Sequence, residues 1–156
     1  MLMHSLILKD FCEDIYTLLC IHTTLEDYKL AFLLNKQLKI HFHKTKNDVS
    51  VADKKQNTSF STYHYIDREY DFEWHLISNS CTQETVLNNN ELLQSTEKKT
   101  YLINEKKNID FFIKITGETN QPFISKTVDK INTIQEVVTS YSIDINTLKS
   151  KDFLTF

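Results

Sequence analysis

Two pairs of side chains in this sequence have types and spacing suited to metal chemistry: Cys20 with His22, and His41 with His43. Residues two apart on a strand point to the same side, and thiolate and imidazole are both zinc ligands. The surrounding pattern argues otherwise. Ile40 and Phe42 alternate with His41 and His43, which puts the imidazoles on the solvated side of their strand. No HxxxH, CxxC or HExxH spacing draws ligands together, so neither a metal site nor a cofactor is expected. A second group lies in two later strand-like runs. Phe72, Trp74 and Leu76 alternate with Glu73, His75 and Ile77, while Tyr63 and Tyr65 share a face with Ser61 and Asp67. With the Phe/Trp/Leu side assigned to the core, the other side is expected to gather Tyr63, Tyr65, His75, His41 and His43 into one contact surface, because aromatic residues are enriched where proteins bind one another. No catalytic residue is assigned. The acidic pairs Glu13/Asp14 and Glu26/Asp27 and the run "DREYD" (67–71) read as a strand start, a helix first turn and a solvated turn. Asn35 falls on the helical arc of Tyr28, Ala31 and Phe32, where its amide is expected to bind main-chain carbonyls rather than a ligand.

One domain must position these residues. A chain of 156 residues holds one core comfortably and two poorly, so the reading is a single domain over 1–156. A composition of 40% hydrophobic and 25% charged residues is that of a folded chain. The net charge of −3 gives no bulk electrostatic case for nucleic acid. No apolar run approaches the ~20 residues a membrane-spanning helix needs, and "MLMHSLILKDF" lacks a small-residue cleavage site, so it reads as mature protein. Cys12, Cys20 and Cys81 are odd in number and widely spaced, which fits a reducing cytoplasm better than a disulfide framework. Phosphate-cradling loops, dinucleotide fingerprints and nucleophile elbows all need glycine. The chain has one. Several enzyme classes are thereby disfavoured.

With so little glycine, turns fall to Asn and Asp, as in "TKND" (45–48), "KKQN" (54–57) and "NNNE" (88–91). Between them the hydrophobic period changes. "DIYTLLCIH" (14–22) reads as a central strand. "TTLEDYKLAFLLNKQL" (23–38) reads as an amphipathic helix, with Thr23 and Glu26 at capping-box spacing and Leu30, Leu34 and Leu38 on its apolar side. "KIHFHK", "VSVA", "SFSTYHYI" and "FEWHLIS" suggest an antiparallel meander. The segment 79–99 has no clear period and is expected to be a long loop. Gly117 is placed to end a strand, and Pro122 to open a second helix continued by Ile124, Val128, Ile131 and Ile134. "VVTSYSIDI" (137–145) gives a last strand. The expected class is α+β: a two-layer domain with a mostly antiparallel sheet of about six or seven strands and two helices packed on one face.

The stretch "INEKKNIDFF" (103–112) sets an acid inside an apolar run. If Tyr101–Ile103 and Ile109–Ile115 form one hairpin, Ile109, Phe111, Ile113 and Ile115 share a face and Asp110 opens the other. Asp110 is then expected to fix the hairpin's register by accepting a main-chain N–H or meeting a lysine of the turn. "INEKKNIDF" resembles the signature of the IPExxxVDY family of uncharacterised bacterial proteins. Ile103, Glu105 and Asp110 match, Ile109 stands for Val, Asn104 replaces Pro and Phe111 replaces Tyr. "DYKLAFLLNK" (27–36) and "SIDINTLKSKDFLTF" (142–156) are similar to the family's first helix and C-terminal end. The resemblance implies no activity, substrate or cofactor. Phe111 lacks the hydroxyl through which a Tyr could act as acid or base. The five motif residues Ile103, Glu105, Ile109, Asp110 and Phe111 are therefore read as scaffold.

The function expected on these grounds is a cytoplasmic, non-catalytic protein-binding or regulatory adaptor whose partner is another protein. The alternative is a small-molecule binder or enzyme using a histidine-bearing pocket between sheet and helices. A third reading is an RNA-contacting accessory protein, for which the aromatic strands and the lysines at 36, 39, 44 and 46 would serve.

Overall fold

Runs of consecutive apolar residues, 18–21 and 111–113 among them, build a sheet that is apolar on both faces near its middle. A computed structural model of the chain describes residues 15–53, 56–89 and 92–156, and of residues 52, 53, 56, 57, 84–89 and 92–96 the main chain alone. The expectations for the segment 1–14, including Cys12 and the Glu13/Asp14 pair, lie outside the described residues. In chain order the elements are β1 (Tyr16–Thr23), α1 (Asp27–Leu38), β2 (His43–Lys44), β3 (Val49–Asp53), β4 (Gln56–Phe60), β5 (Thr62–Asp67), β6 (Phe72–Ser78), β7 (Ser80–Asn89), β8 (Leu92–Tyr101), β9 (Phe111–Thr116), α2 (Gln121–Asn132) and β10 (Val137–Ile143). Six strands form one antiparallel sheet in the order β10-β1-β9-β6-β5-β2, while β3 pairs with β4 and β7 with β8 as separate ribbons. This is the α+β architecture expected, with both helices on one face. Among the described residues no helix is long and apolar enough to cross a membrane.

Alternation divides the core in two. Leu19, Ile21, Trp74, Leu76 and Ile113 point toward the helices and pack on Leu30, Leu34 and Ile131. Leu18, Cys20, Ile77 and Phe112 point the opposite way, and that face is also covered, by Phe60, Ile103, Ile109, Leu148 and Leu154. The second cover consists of the β3–β4 ribbon and of turns, and in the turns side chains must satisfy the main-chain groups. Asn79, fully buried, does most of this: its amide donates to the Lys106 and Ile109 carbonyls and accepts from the Ile103 N–H. The helices close in a parallel way. Asn35 in α1 accepts from the Phe42 N–H and donates to its carbonyl, and Asn132 in α2 does the same to Ser140. Gly117 ends β9 with φ of +133°, and a Cβ there would stand 2.6 Å from the Phe72 ring. Only glycine fits that backbone and that contact. Pro122 lies in the first turn of α2, where Asn120 caps the Phe123 N–H.

Four expectations need correction. The segment 79–99 is mostly the β7–β8 ribbon rather than a long loop. β8 therefore does not pair with β9, and Asp110 belongs to a turn instead of a hairpin strand. Its carboxylate accepts the Thr23 N–H at 2.9 Å, holding the end of β1. Thr23 does not cap α1: it is the last residue of β1, its hydroxyl donates to the Glu136 carbonyl, and Glu26 stands at the N-cap without a side-chain bond. Finally, Tyr28 and Phe32 turn outward from α1, with exposures of 55% and 68%, because Leu30, Ala31 and Leu34 already occupy the inner arc.

Candidate functional site

The turn after Asp67 pairs Asp67 with Phe72, and Asp71 within it takes a φ of 57°. That closure sets the register of the whole β5–β6 hairpin. His64 comes opposite His75, and Ile66 opposite Glu73. Alternation then puts His64, Glu73 and His75 together on the sheet face away from the helices. β2 adds His43 beside His64, and β9 adds Lys114 beside His75.

The His64 and His75 rings stack with centroids 4.7 Å apart, and His43 meets His64 edge-on at 5.7 Å. His64 Nε2 lies 2.8 Å from Glu73 Oε1, a hydrogen bond; His75 Nε2 lies 3.7 Å from the same oxygen, beyond hydrogen-bond reach. His75 is only 8% exposed, and its Nδ1 is buried without a partner among the described residues. Burial pushes its pKa down to about 4; the charges of His64 and Lys114 add to this and Glu73 opposes it. The ring is therefore neutral at neutral pH. The Phe156 ring closes over it edge-on at 5.0 Å. Lys114 Nζ donates to the Leu154 carbonyl at 2.5 Å and lies 4.7 Å from the centroids of Tyr16 and Phe156. Beside His75 opens a cavity of about 490 Å³, walled by Thr45, Val49, Thr62, Asp152 and Phe156 among others. Two imidazoles and a carboxylate in contact can accept hydrogen bonds, pass a proton or ligate a cation.

The single contact surface expected of Tyr63, Tyr65, His41, His43 and His75 is divided by the sheet. Tyr63 and Tyr65 pair with Leu76 and Trp74 and pack, half-buried, on the helix-side core. Burial raises both phenols, with Asp27 and Asp48 adding at Tyr63 and Asp67 and Glu69 at Tyr65. His41 meets Tyr65 edge-on at 6.1 Å. His43 and His75 instead join His64 and Glu73, which the sequence reading had not singled out. The turn carried the signal: once Asp67 faces Phe72, odd-numbered tyrosines must face even-numbered core residues, and His64 must face His75. Cys20 and His22 form no ligand pair. Burial raises the Cys20 thiol to about 12, with Lys106 opposing, and His22 Nε2 contacts Tyr141 Oη at 2.9 Å.

The motif residues are structural in their contacts. Ile103 and Ile109 are buried under the sheet, and Phe111 lies in the helix-side core. Glu105 accepts from the Ser150 N–H at 2.7 Å and from its hydroxyl at 2.8 Å, tying the C-terminal segment to the turn. The chain matches no protein-family model, no curated protein and no solved structure.

Proposed function

We propose that this chain is a non-catalytic binding protein of regulatory or adaptor type, and that it takes its ligand on the histidine-bearing sheet face. The observation that carries this reading is His75: an imidazole 8% exposed, with a buried and unpartnered nitrogen, at the wall of a cavity of about 490 Å³. Leaving a buried polar atom unpaired costs about 1–3 kcal/mol. A residue that carries such an atom and also lines open volume is a candidate to receive a group from outside. Native mass spectrometry of the chain isolated from its source cells tests this. Wild-type protein should carry a stoichiometric adduct that His64→Ala and His75→Ala lose and His41→Ala keeps. Bare chain in every case overturns the reading.

A second reading, contact with a protein partner through α1, is favoured by Tyr28 and Phe32. They stand one helical turn apart and are 55% and 68% exposed, forming an apolar strip beside Lys29 and Lys36. A photo-crosslinker at position 32 should capture one partner in cells where the same group at exposed Glu136 captures none. Equal yields at both positions would remove this reading.

A further inference from the structure

We propose that His64, Glu73 and His75 form a site for a divalent first-row transition metal ion, which is the ligand, or the anchor of the ligand, in the binding role above. One nitrogen from each imidazole and one Glu73 oxygen lie within 4.8 Å of one another. Ligands on an ion at ~2.0–2.2 Å stand roughly 3–3.5 Å apart in tetrahedral or octahedral geometry. The separations of 2.8 Å from His64 Nε2 and 3.7 Å from His75 Nε2 to Glu73 Oε1 bracket that value. Small side-chain rotations would thus admit an ion between them.

Two further features support the site. Two of its ligands, His64 and His75, are directly paired in an antiparallel hairpin, Glu73 lies two residues before His75 on the same face, and β9 pairs along β6, so the backbone is already set and little ordering remains for binding. And His75, mostly enclosed, makes no hydrogen bond through either ring nitrogen among the described residues. An ion bound beside Glu73 would take His75 Nε2, the nitrogen 3.7 Å from Glu73 Oε1. Two neutral nitrogens and one carboxylate suit Zn²⁺ or a similar ion rather than Ca²⁺ or Mg²⁺, which prefer oxygen. Three protein ligands leave further coordination positions open. The ammonium of Lys114, on the neighbouring strand, holds affinity below that of a closed four-ligand site. The inference rests on the functional reading above and names its ligand class.

Zinc chloride titrated into the metal-stripped full-length chain, against a chromophoric chelator, provides the test. One equivalent should bind, and Glu73→Gln and His64→Gln should each weaken it at least 30-fold while His41→Gln leaves it unchanged. Glu73 is exposed and His64 partly so, so both variants should keep the wild-type circular dichroism and melting profile. As a second readout, Co²⁺ should give the visible absorption of a low-symmetry site, which Glu73→Gln abolishes. No stoichiometric binding, or binding that both variants retain, overturns the metal site. An organic adduct still lost with His75→Ala would then leave the functional reading standing, whereas bare chain would remove both.

Discussion

Asp110 interrupts an apolar run, and its carboxylate is spent on one main-chain N–H. Its Oδ2 accepts from Thr23, while its own N–H donates to the Ile21 carbonyl and its carbonyl accepts from Asn79. The end of β1 is thus stitched to the turn before β9 by side chain and main chain together. An acceptor is what Thr23 needs, not a charge. Asp110→Ala should cost about 1–3 kcal/mol in urea unfolding, the usual effect of stranding a buried donor, and Asp110→Asn less than about 1, since an amide oxygen can replace the carboxylate oxygen. If both variants lose the same stability, the charge matters and this role is wrong. A main-chain N–H was one of the two partners the sequence offered for Asp110; that it belongs to Thr23 was not legible. The sequence suggested a hairpin with β8, and nothing local in "NEKKN" says that β8 pairs backward with β7 instead.

At the scale of elements, the last turn of each helix carries an asparagine that holds the chain after it, Asn35 at Phe42 just before β2 and Asn132 at Ser140 within β10. Asn132 covers the outward N–H and carbonyl of Ser140 on β10, an edge of the main sheet. An open edge invites pairing with another chain. Asn132→Ala should lower stability by about 1–3 kcal/mol and raise light scattering at high concentration; unchanged scattering and melting would show the clamp to be idle. Asn35 was readable as a main-chain binder because an amide near a helix end lies within reach of unpaired main-chain groups. The Thr23–Glu26 capping box misled for the opposite reason: strand pairing with β10 outweighed a local capping preference. The β7–β8 ribbon was missed because its polar residues lack the apolar alternation on which strand reading depends. Glu105 links another pair of elements. Burial raises its carboxyl, but the Ser150 N–H and hydroxyl and the Glu105 and Lys149 N–H groups outweigh this and hold it below the usual carboxylate range. A carboxyl depressed in the folded state binds fewer protons there than when unfolded. Its contribution is whole above the ordinary carboxylate pKa and is lost as pH falls through the lower folded value. Amide exchange in residues 148–156 should therefore quicken as pH drops below about 4, relative to the rest of the chain at the same pH. Glu105→Gln should flatten that acid dependence; if the variant keeps it, another carboxylate is responsible.

For the whole molecule, the C-terminal turn joins the second core to the histidine site. Leu154 is fully buried on the face away from the helices, its carbonyl accepts from Lys114, and Phe156 covers His75. The histidine face is therefore sheltered by the C-terminal turn and tail and by the β3–β4 ribbon, not by α1 or α2. The alternative reading put a histidine-bearing pocket between sheet and helices, whereas the cavity beside His75 lies on the opposite face. Packing and polar contributions can be separated. Leu154→Ala keeps the main-chain carbonyl and should cost about 2–5 kcal/mol in urea unfolding through the cavity it leaves. Removing residues 152–156 takes the carbonyl and the Phe156 ring as well and should cost more than Leu154→Ala, with water replacing the acceptor that Lys114 loses. Loss of the tail should also let water reach His75. Burial is the main cause of its depressed pKa, so in the metal-free truncated chain its imidazole should titrate well above the value of about 4 in the intact one, as read by histidine ring NMR. If the midpoint stays near 4, the neighbouring charges of His64 and Lys114 hold the ring neutral, and the tail is not what keeps the site dry.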